Sequence, residues 1–184
     1  MRMEETSGPS DAEVVARVRD GDDDAYRVLV RRYQDVLYRH ALRMTSNPDV
    51  ATDMVQASFI KAYRHIHRCE PERFGGWIFR IVSNRTKDYL RGRARNDVSL
   101  EDAPTQEGGE DPADDLHRKE LRVVIERSLA QLPDEQREAF VLKHVEGRSY
   151  EEMSELLEAS VPALKMRVHR AREALRTLMQ EVME

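Results

Sequence analysis

The sequence predicts an all-α protein made of two small helical domains joined by a flexible acidic linker. Three observations predict it. Apolar residues recur at steps of three and four through most of the chain, with no convincing run of strand alternation. The composition is 40% hydrophobic and 35% charged with only 6% aromatic residues, which suits small helical modules with wide solvated faces better than a β-sandwich. The stretch "NDVSLEDAPTQEGGEDPADD" (96–115) has two prolines, two glycines and almost no large apolar residues. It buries too little surface to offset its ordering entropy, so it is expected to be a self-repelling tether. The predicted division is 10–95, a linker over 96–116, and 117–184.

Four helices are expected in the first domain. Ser10 caps a short one that ends near Asp20-Gly21. A second runs from about Asp24 and carries Leu29, Val30, Tyr33, Val36, Leu37, Ala41 and Leu42. "TSNPD" (45–49) stops it and starts a third, with Ala51, Met54, Val55, Ser58, Phe59, Ala62 and Tyr63. "CEPERFGG" (69–76) reads as a loop, and a fourth helix begins near Trp77 with Ile78, Ile81, Val82, Tyr89 and Leu90. In the second domain, Leu121, Val124, Ile125, Leu129 and Leu132 mark one helix, and Pro133 with the acids behind it opens the next. That helix carries Ala139, Phe140, Leu142 and Val145 and ends at Gly147. Ser149 with Glu152 forms a capping box ahead of Met153, Leu156 and Leu157. Ser160 caps a last helix that tolerates Pro162 in its first turn.

Charge is distributed unevenly. The formal net charge is −5, yet residues 25–95 hold fifteen basic and six acidic side chains, while 96–120 hold two and nine. On the last helix, Val161, Leu164, Val168, Ala171, Leu175 and Leu178 form one apolar stripe. The rest of the helix presents Lys165, Arg167, His169, Arg170, Arg172 and Arg176 against one acid, Glu173. A helix of about nine residues and a short break precede it. That is helix-turn-helix spacing, in which the second helix enters the DNA major groove and its cations pair with phosphates or guanine edges. A solvated helix face is the bland alternative, but plain solubility favours mixed signs.

Residues 73–95 repeat the theme, with Arg73, Arg80, Arg85, Lys87, Arg91, Arg93 and Arg95 against Asp88 alone, interleaved with Phe74, Trp77, Phe79 and Tyr89. Cations beside aromatic rings suit single-stranded nucleic acid, although Trp77 by itself fits a core position better. His65, His67 and Cys69 stand at steps of two and would point to different faces of a helix, which argues against a metal site. No nucleophile–base pair, phosphate-cradling glycine loop or pair of catalytic carboxylates is recognisable, so neither an enzyme nor a cofactor is expected. With no signal peptide, no apolar span and a single cysteine, the chain is expected to be cytoplasmic.

"LPDEQREAFVLKHVEGRSYEEMSELLEASVPALKMRVHRAREALR" resembles the fourth conserved region of bacterial sigma factors, and "DVATDMVQASFIKAYRHI" with "RFGGWIFRIVSNRTKDYLRGRAR" resembles their second. Two regions joined by a short linker are similar to the extracytoplasmic-function (ECF) type of the sigma-70 family. The resemblance implies a promoter-specificity subunit with core RNA polymerase, promoter DNA and an anti-sigma factor as partners. It assigns polymerase docking to Asp53 and Gln56, with Ala57 where the family has glutamate. It assigns minus-ten recognition and opening to Arg73, Phe74, Trp77, Arg80, Asn84, Lys87 and Arg91, and minus-thirty-five reading to Ser160, Lys165, Met166, Arg167, His169, Arg170 and Arg172. Glu158 stands where the family usually has glycine, and Pro162-Ala163 where it has glycine-threonine. Two other readings fit the residues: an autonomous helix-turn-helix regulator, and a helical adaptor that binds only proteins.

Overall fold

The computed structural model describes residues 8–95, 124–125 and 127–183. The expected linker, 96–116, and the start of the helix marked by Leu121 lie outside the described residues. All regular structure among the described residues is helical.

Helix α1 (Asp11–Arg19) starts at a capping box in which the Ser10 hydroxyl accepts from Glu13 N–H and the Glu13 carboxylate accepts from Ser10 N–H. A 3-10 turn (Asp23–Ala25), capped by Asp22, leads into α2 (Tyr26–Thr45). Helix α2 ends on Ser46 at φ 53°, and Asn47 at once caps α3 (Pro48–Arg64), with Pro48 in its first turn. The stop and start predicted at 45–49 are therefore both present. Helices α2, α3 and α4 (Phe74–Arg95) pack together under α1. Their shared interior holds Val14, Val15, Leu29, Leu37, Ala41, Ala51, Ala62, Phe74, Ile78 and Val82 with essentially no exposed surface.

The loop expected over 69–76 is shorter than predicted. A 3-10 turn (Pro71–Arg73) runs directly into α4, so Phe74, Gly75 and Gly76 are helical. The glycines belong in the helix because of what faces them. A Cβ on Gly75 would sit 2.8 Å from Tyr33 Oη, and Asp11 holds that hydroxyl while also pairing with Arg32. Arg19 fixes the connection before α4 by donating to the carbonyls of Ile66 (3.0 Å) and Cys69.

In the second half, residues 127–130 are helical, and Pro133 precedes α5 (Asp134–Phe140). Helix α5 passes into a π-helical turn (Val141–Val145), which puts an extra residue into the turn and rotates the following side chains out of phase. That accounts for Val145, expected in the core but 48% exposed. Helix α6 (Tyr150–Leu157) begins with the predicted Ser149–Glu152 capping box and ends on Glu158 at φ 49°. Helix α7 (Val161–Met183) follows, with Ser160 Oγ accepting from Ala163 N–H. Leu164, Val168, Ala171 and Leu175 are buried, so the predicted stripe is the one that packs.

The two halves are not beads on a string. Ala139, Leu142, Met153, Leu164 and Val168 join the core of α1–α4, and α6 lies against α4. The fold thus brings the two cationic segments into one molecule-wide arrangement.

The two α4 glycines make a test of opposite signs. A Cβ on Gly92 would have nothing within 4 Å, so Gly92→Ala should stabilise the protein by about 1 kcal/mol through helix propensity. Gly75→Ala should destabilise it by about 1–3 kcal/mol through overpacking against Tyr33. Urea unfolding of the two variants checks both; a stabilised Gly75→Ala would contradict the packing described.

Candidate nucleic-acid interface

Helix α7 presents its cations as the stripe dictates. Ser160, Lys165, Met166, His169, Arg170 and Arg172 are exposed on one side of the helix, with Met166 50% exposed. Arg167 is half-covered and pairs with Glu135 at 2.8 Å. Lys143 and Lys165 both lie over the Tyr150 ring, 4.7 and 5.6 Å from its centroid. Burial, Arg172 and Lys143 together hold the His144 imidazole below its ordinary value, a sign of the positive field around this face. Helix α6, the break at Glu158–Ser160 and α7 make a helix-turn-helix with an unobstructed second helix. The left-handed residue costs Glu158 about 1 kcal/mol relative to glycine.

The α4 set divides. Arg73, Asn84 and Arg91 are exposed, Trp77 is half-buried, and Phe74 is fully buried. Phe74 packs edge-on to Tyr26 and Trp77 and tilted against Tyr33. The expectation that Phe74 meets DNA is corrected by this position: its ring anchors the start of α4 in the core and has no surface to offer. Arg80, Lys87 and Arg91 share one side of α4, and each pairs with an acid from the second half. Arg80 meets Glu158, Lys87 meets Glu138 at 3.1 Å, and Arg91 meets Asp134 at 3.2 Å. Asp134 and Glu135, expected only as helix N-terminal charges, therefore also bind arginines.

On α3, Asp53 and Gln56 are exposed one turn apart. Ala57, Ile60, Lys61, Arg64, His65 and Arg85 line a shallow groove on the continuation of that face, with Ile60 55% exposed. Ala57 leaves apolar surface there where the resemblance expects a carboxylate. Cys69 is buried, and burial pushes its thiol up to about 11.

Sequence reading missed the polar centre of the molecule. His40, fully buried on α2, has Nδ1 3.0 Å from Glu146 Oε1, while its Nε2 faces Glu138 Oε1 at 3.8 Å, beyond hydrogen-bond reach. Glu138, 1% exposed, also accepts from Ser83 Oγ and Lys87 Nζ. Arg137 beside it donates to the carbonyls of Met44 (3.2 Å) and Leu129 (2.7 Å). The signal was present: His40 stands in the stripe of Leu37, Ala41 and Met44, and Glu138 one turn before Leu142, so both charges fall on core-facing phases.

Burial opposes a charge on His40, but the two carboxylates facing it, Glu138 by its charge and Glu146 by its charge and its hydrogen bond to Nδ1, outweigh it and raise the imidazole above its ordinary value. Burial likewise opposes ionisation of Glu138, yet His40, Lys87 and Ser83 bring it down to about 2. Glu146 is lowered against its burial by His40, Arg43 and Arg148. A raised histidine pKa adds stability that is complete below the unfolded value, about 6.5, and is lost as pH rises through the folded value. The groups facing His40 are Glu138 from α5, Glu146 after the π turn and Phe79 from α4; Lys87 pairs with Glu138, and Arg43 with Glu146. Stability should therefore decline as pH rises above about 6.5. His40→Gln should be less stable and show a flatter decline; equal slopes in urea titrations would contradict this.

The geometry defines a class: a helix-turn-helix module packed on a helical bundle with a cationic face. Residues 29–96 match the model of sigma-70 region 2, and residues 122–175 match that of sigma-70 region 4. The ECF RNA polymerase sigma-E factor of Haemophilus influenzae is 34% identical, over 95% of this chain and 97% of that protein. The RNA polymerase sigma-H factor of Pseudomonas aeruginosa is 33% identical, over 94% and 95%. Among solved structures, CnrH in complex with the cytosolic domain of CnrY matches with a TM-score of 0.65 and 27% identity, covering 94% of this chain and 99% of that one. RpoE of Bartonella quintana in complex with the anti-sigma factor NepR matches with a TM-score of 0.59 and 27% identity, covering 84% and 96%. This chain belongs to the sigma-70 family, as a sigma factor of the ECF type.

Proposed function

We propose that the protein is a promoter-specificity subunit that binds core RNA polymerase and directs it to a dedicated set of promoters. The observation that carries this is the pair of sigma regions, in family order, within a match that spans nearly the whole of both chains. The protein performs no chemistry of its own; the polymerase does. It works where the polymerase works, in the cytoplasm, and no described helix is long and apolar enough to cross a membrane.

The exposed face of α7 supports a division of labour. Lys165, Met166, Arg167, His169, Arg170 and Arg172, with Ser160 at the helix start, read the minus-thirty-five element. Met166 is suited to a thymine methyl and the arginines to phosphates or guanine. Arg73, Trp77, Arg80, Asn84, Lys87 and Arg91 meet the minus-ten element as it opens, where cations beside aromatic groups suit unpaired bases. Asp53 and Gln56, with the groove beside them, dock the polymerase clamp. An anti-sigma factor is a further partner, by extension from RpoE in its co-crystal with the anti-sigma factor NepR.

Fluorescence anisotropy of labelled promoter DNA tests this with the protein, core polymerase, and both together. Specific binding is expected only with both. Asp53→Ala should weaken assembly with polymerase, and Lys165→Glu with Arg170→Glu should remove minus-thirty-five dependence. Tight, specific duplex binding by the protein alone would point instead to an autonomous regulator.

A further inference from the structure

We propose that Arg19 at one end of α1, and Tyr33 tied to its other end, are positioning residues for minus-ten reading: they fix the path of the chain into α4 and with it the joint presentation of Arg73 and Trp77. The proposal rests on the reading above in one respect, that Arg73 and Trp77 meet the minus-ten element.

The chain between α3 and α4 has little to hold its own shape. It is a 3-10 turn (Ile66–Arg68), two extended residues, Cys69 and Glu70, and the 3-10 turn at Pro71–Arg73. Its internal backbone bonds each span three residues: Arg68 N–H donates to the His65 carbonyl, Cys69 to Ile66, and Arg73 to Glu70. They fix each turn but not the angle at which one turn leads to the next. Arg19 supplies that constraint from 47 and 50 residues away in sequence. Its Nε and Nη2 donate to the Ile66 carbonyl at 3.3 and 3.0 Å, and the same Nη2 donates to the Cys69 carbonyl. One planar group therefore sets the spacing of two carbonyls, one inside the first turn and one where the chain leaves it. A lysine would bring the charge but not the fork. The Ile66 and Cys69 side chains are buried at the same two points.

The other end of α1 acts on the start of α4. Asp11 accepts from the Tyr33 hydroxyl and pairs with Arg32. The Tyr33 ring so held lies against Gly75, two residues after Arg73 and two before Trp77. Val14, Val15 and Val18 bury α1 between these two ties. Arg73 and Trp77 are one turn apart and leave the chain on the same side. The Arg73 side chain is exposed and meets Glu70 at 3.4 Å, while Trp77 is half-buried and packs edge-on to Phe74. Side chains that must meet one ligand together have to be placed within about 0.5 Å, and this pair stands on a stretch whose shape depends on α1. Helix α1 need not touch DNA, because it acts through the residues it places.

The test uses the full chain with core polymerase and a duplex library randomised at the minus-ten and minus-thirty-five elements; bound DNA is recovered and sequenced. Both preferences are read from the same protein, so loss of folded protein or of polymerase binding lowers them together. Arg19→Lys keeps the charge and removes the fork. Tyr33→Phe keeps the ring against Gly75 and removes the tie to Asp11. Each should lower the minus-ten preference, by about tenfold for Arg19→Lys, the worth of one base contact, and leave the minus-thirty-five preference unchanged. Circular dichroism confirms folding, and if Arg19→Lys does not fold, Tyr33→Phe decides. Loss at both elements alike, or at neither, overturns the proposal. Arg73→Ala separates it from the reading beneath it. A minus-ten preference that survives Arg73→Ala sinks the reading and the proposal together. One that is lost with Arg73→Ala but kept in both positioning variants sinks the proposal alone.

Discussion

A carboxylate taken out of water constrains how the two halves of this molecule meet. Glu138 is 1% exposed and survives as an anion because His40, Ser83 and Lys87 converge on it from two helices of the other half. An unpaired charge there would cost several kcal/mol, and removing one partner of such a set costs about 3–5 kcal/mol. An apolar surface alone would tolerate sliding by a residue or a turn. Buried charges that must find particular partners do not, so the registry of α5 against α2 and α4 is set by electrostatics more than by area. The exposed pairs at the rim, such as Arg91 with Asp134, contribute less than about 1 kcal/mol each and matter through what they cover.

Strain in the second half has a similar logic. Glu158 holds a backbone conformation that glycine would hold without cost, yet its carboxylate reaches Arg80 across the molecule. Glycine would relieve the backbone and lose the contact. Gly75 shows the opposite trade: it gives up helix propensity so that the Tyr33 ring, held by Asp11, can lie against the start of α4. Both positions serve the placement of α4, one at its beginning and one on its exposed side.

Much of this is legible in the sequence because it is local. Caps at Ser10, Asn47 and Ser149 act over three residues, and the stripe on α7 repeats every three or four. The cations of α7 need only a helix and its phase. What is not legible joins residues far apart in the chain. His40 and Glu138 are each a charge on a core-facing phase, and either alone looks like an exception; only their meeting explains both. A place between cations suggests the DNA face for Phe74, but a helix that begins three residues earlier than expected turns it into the core. Charge counting finds acidic and basic segments without finding which acids lie on which bases.

Contact between the two halves through the buried Glu138 charge is the constraint on which the rest depends. It is tested most directly by energy transfer between dyes at residues 49 and 180, which are exposed on the two halves, with the buried Cys69 replaced by serine. High transfer in the unaltered chain that falls when His40→Gln removes the cation facing Glu138 and Glu146 is the predicted result. Equal transfer in the two proteins would contradict the account.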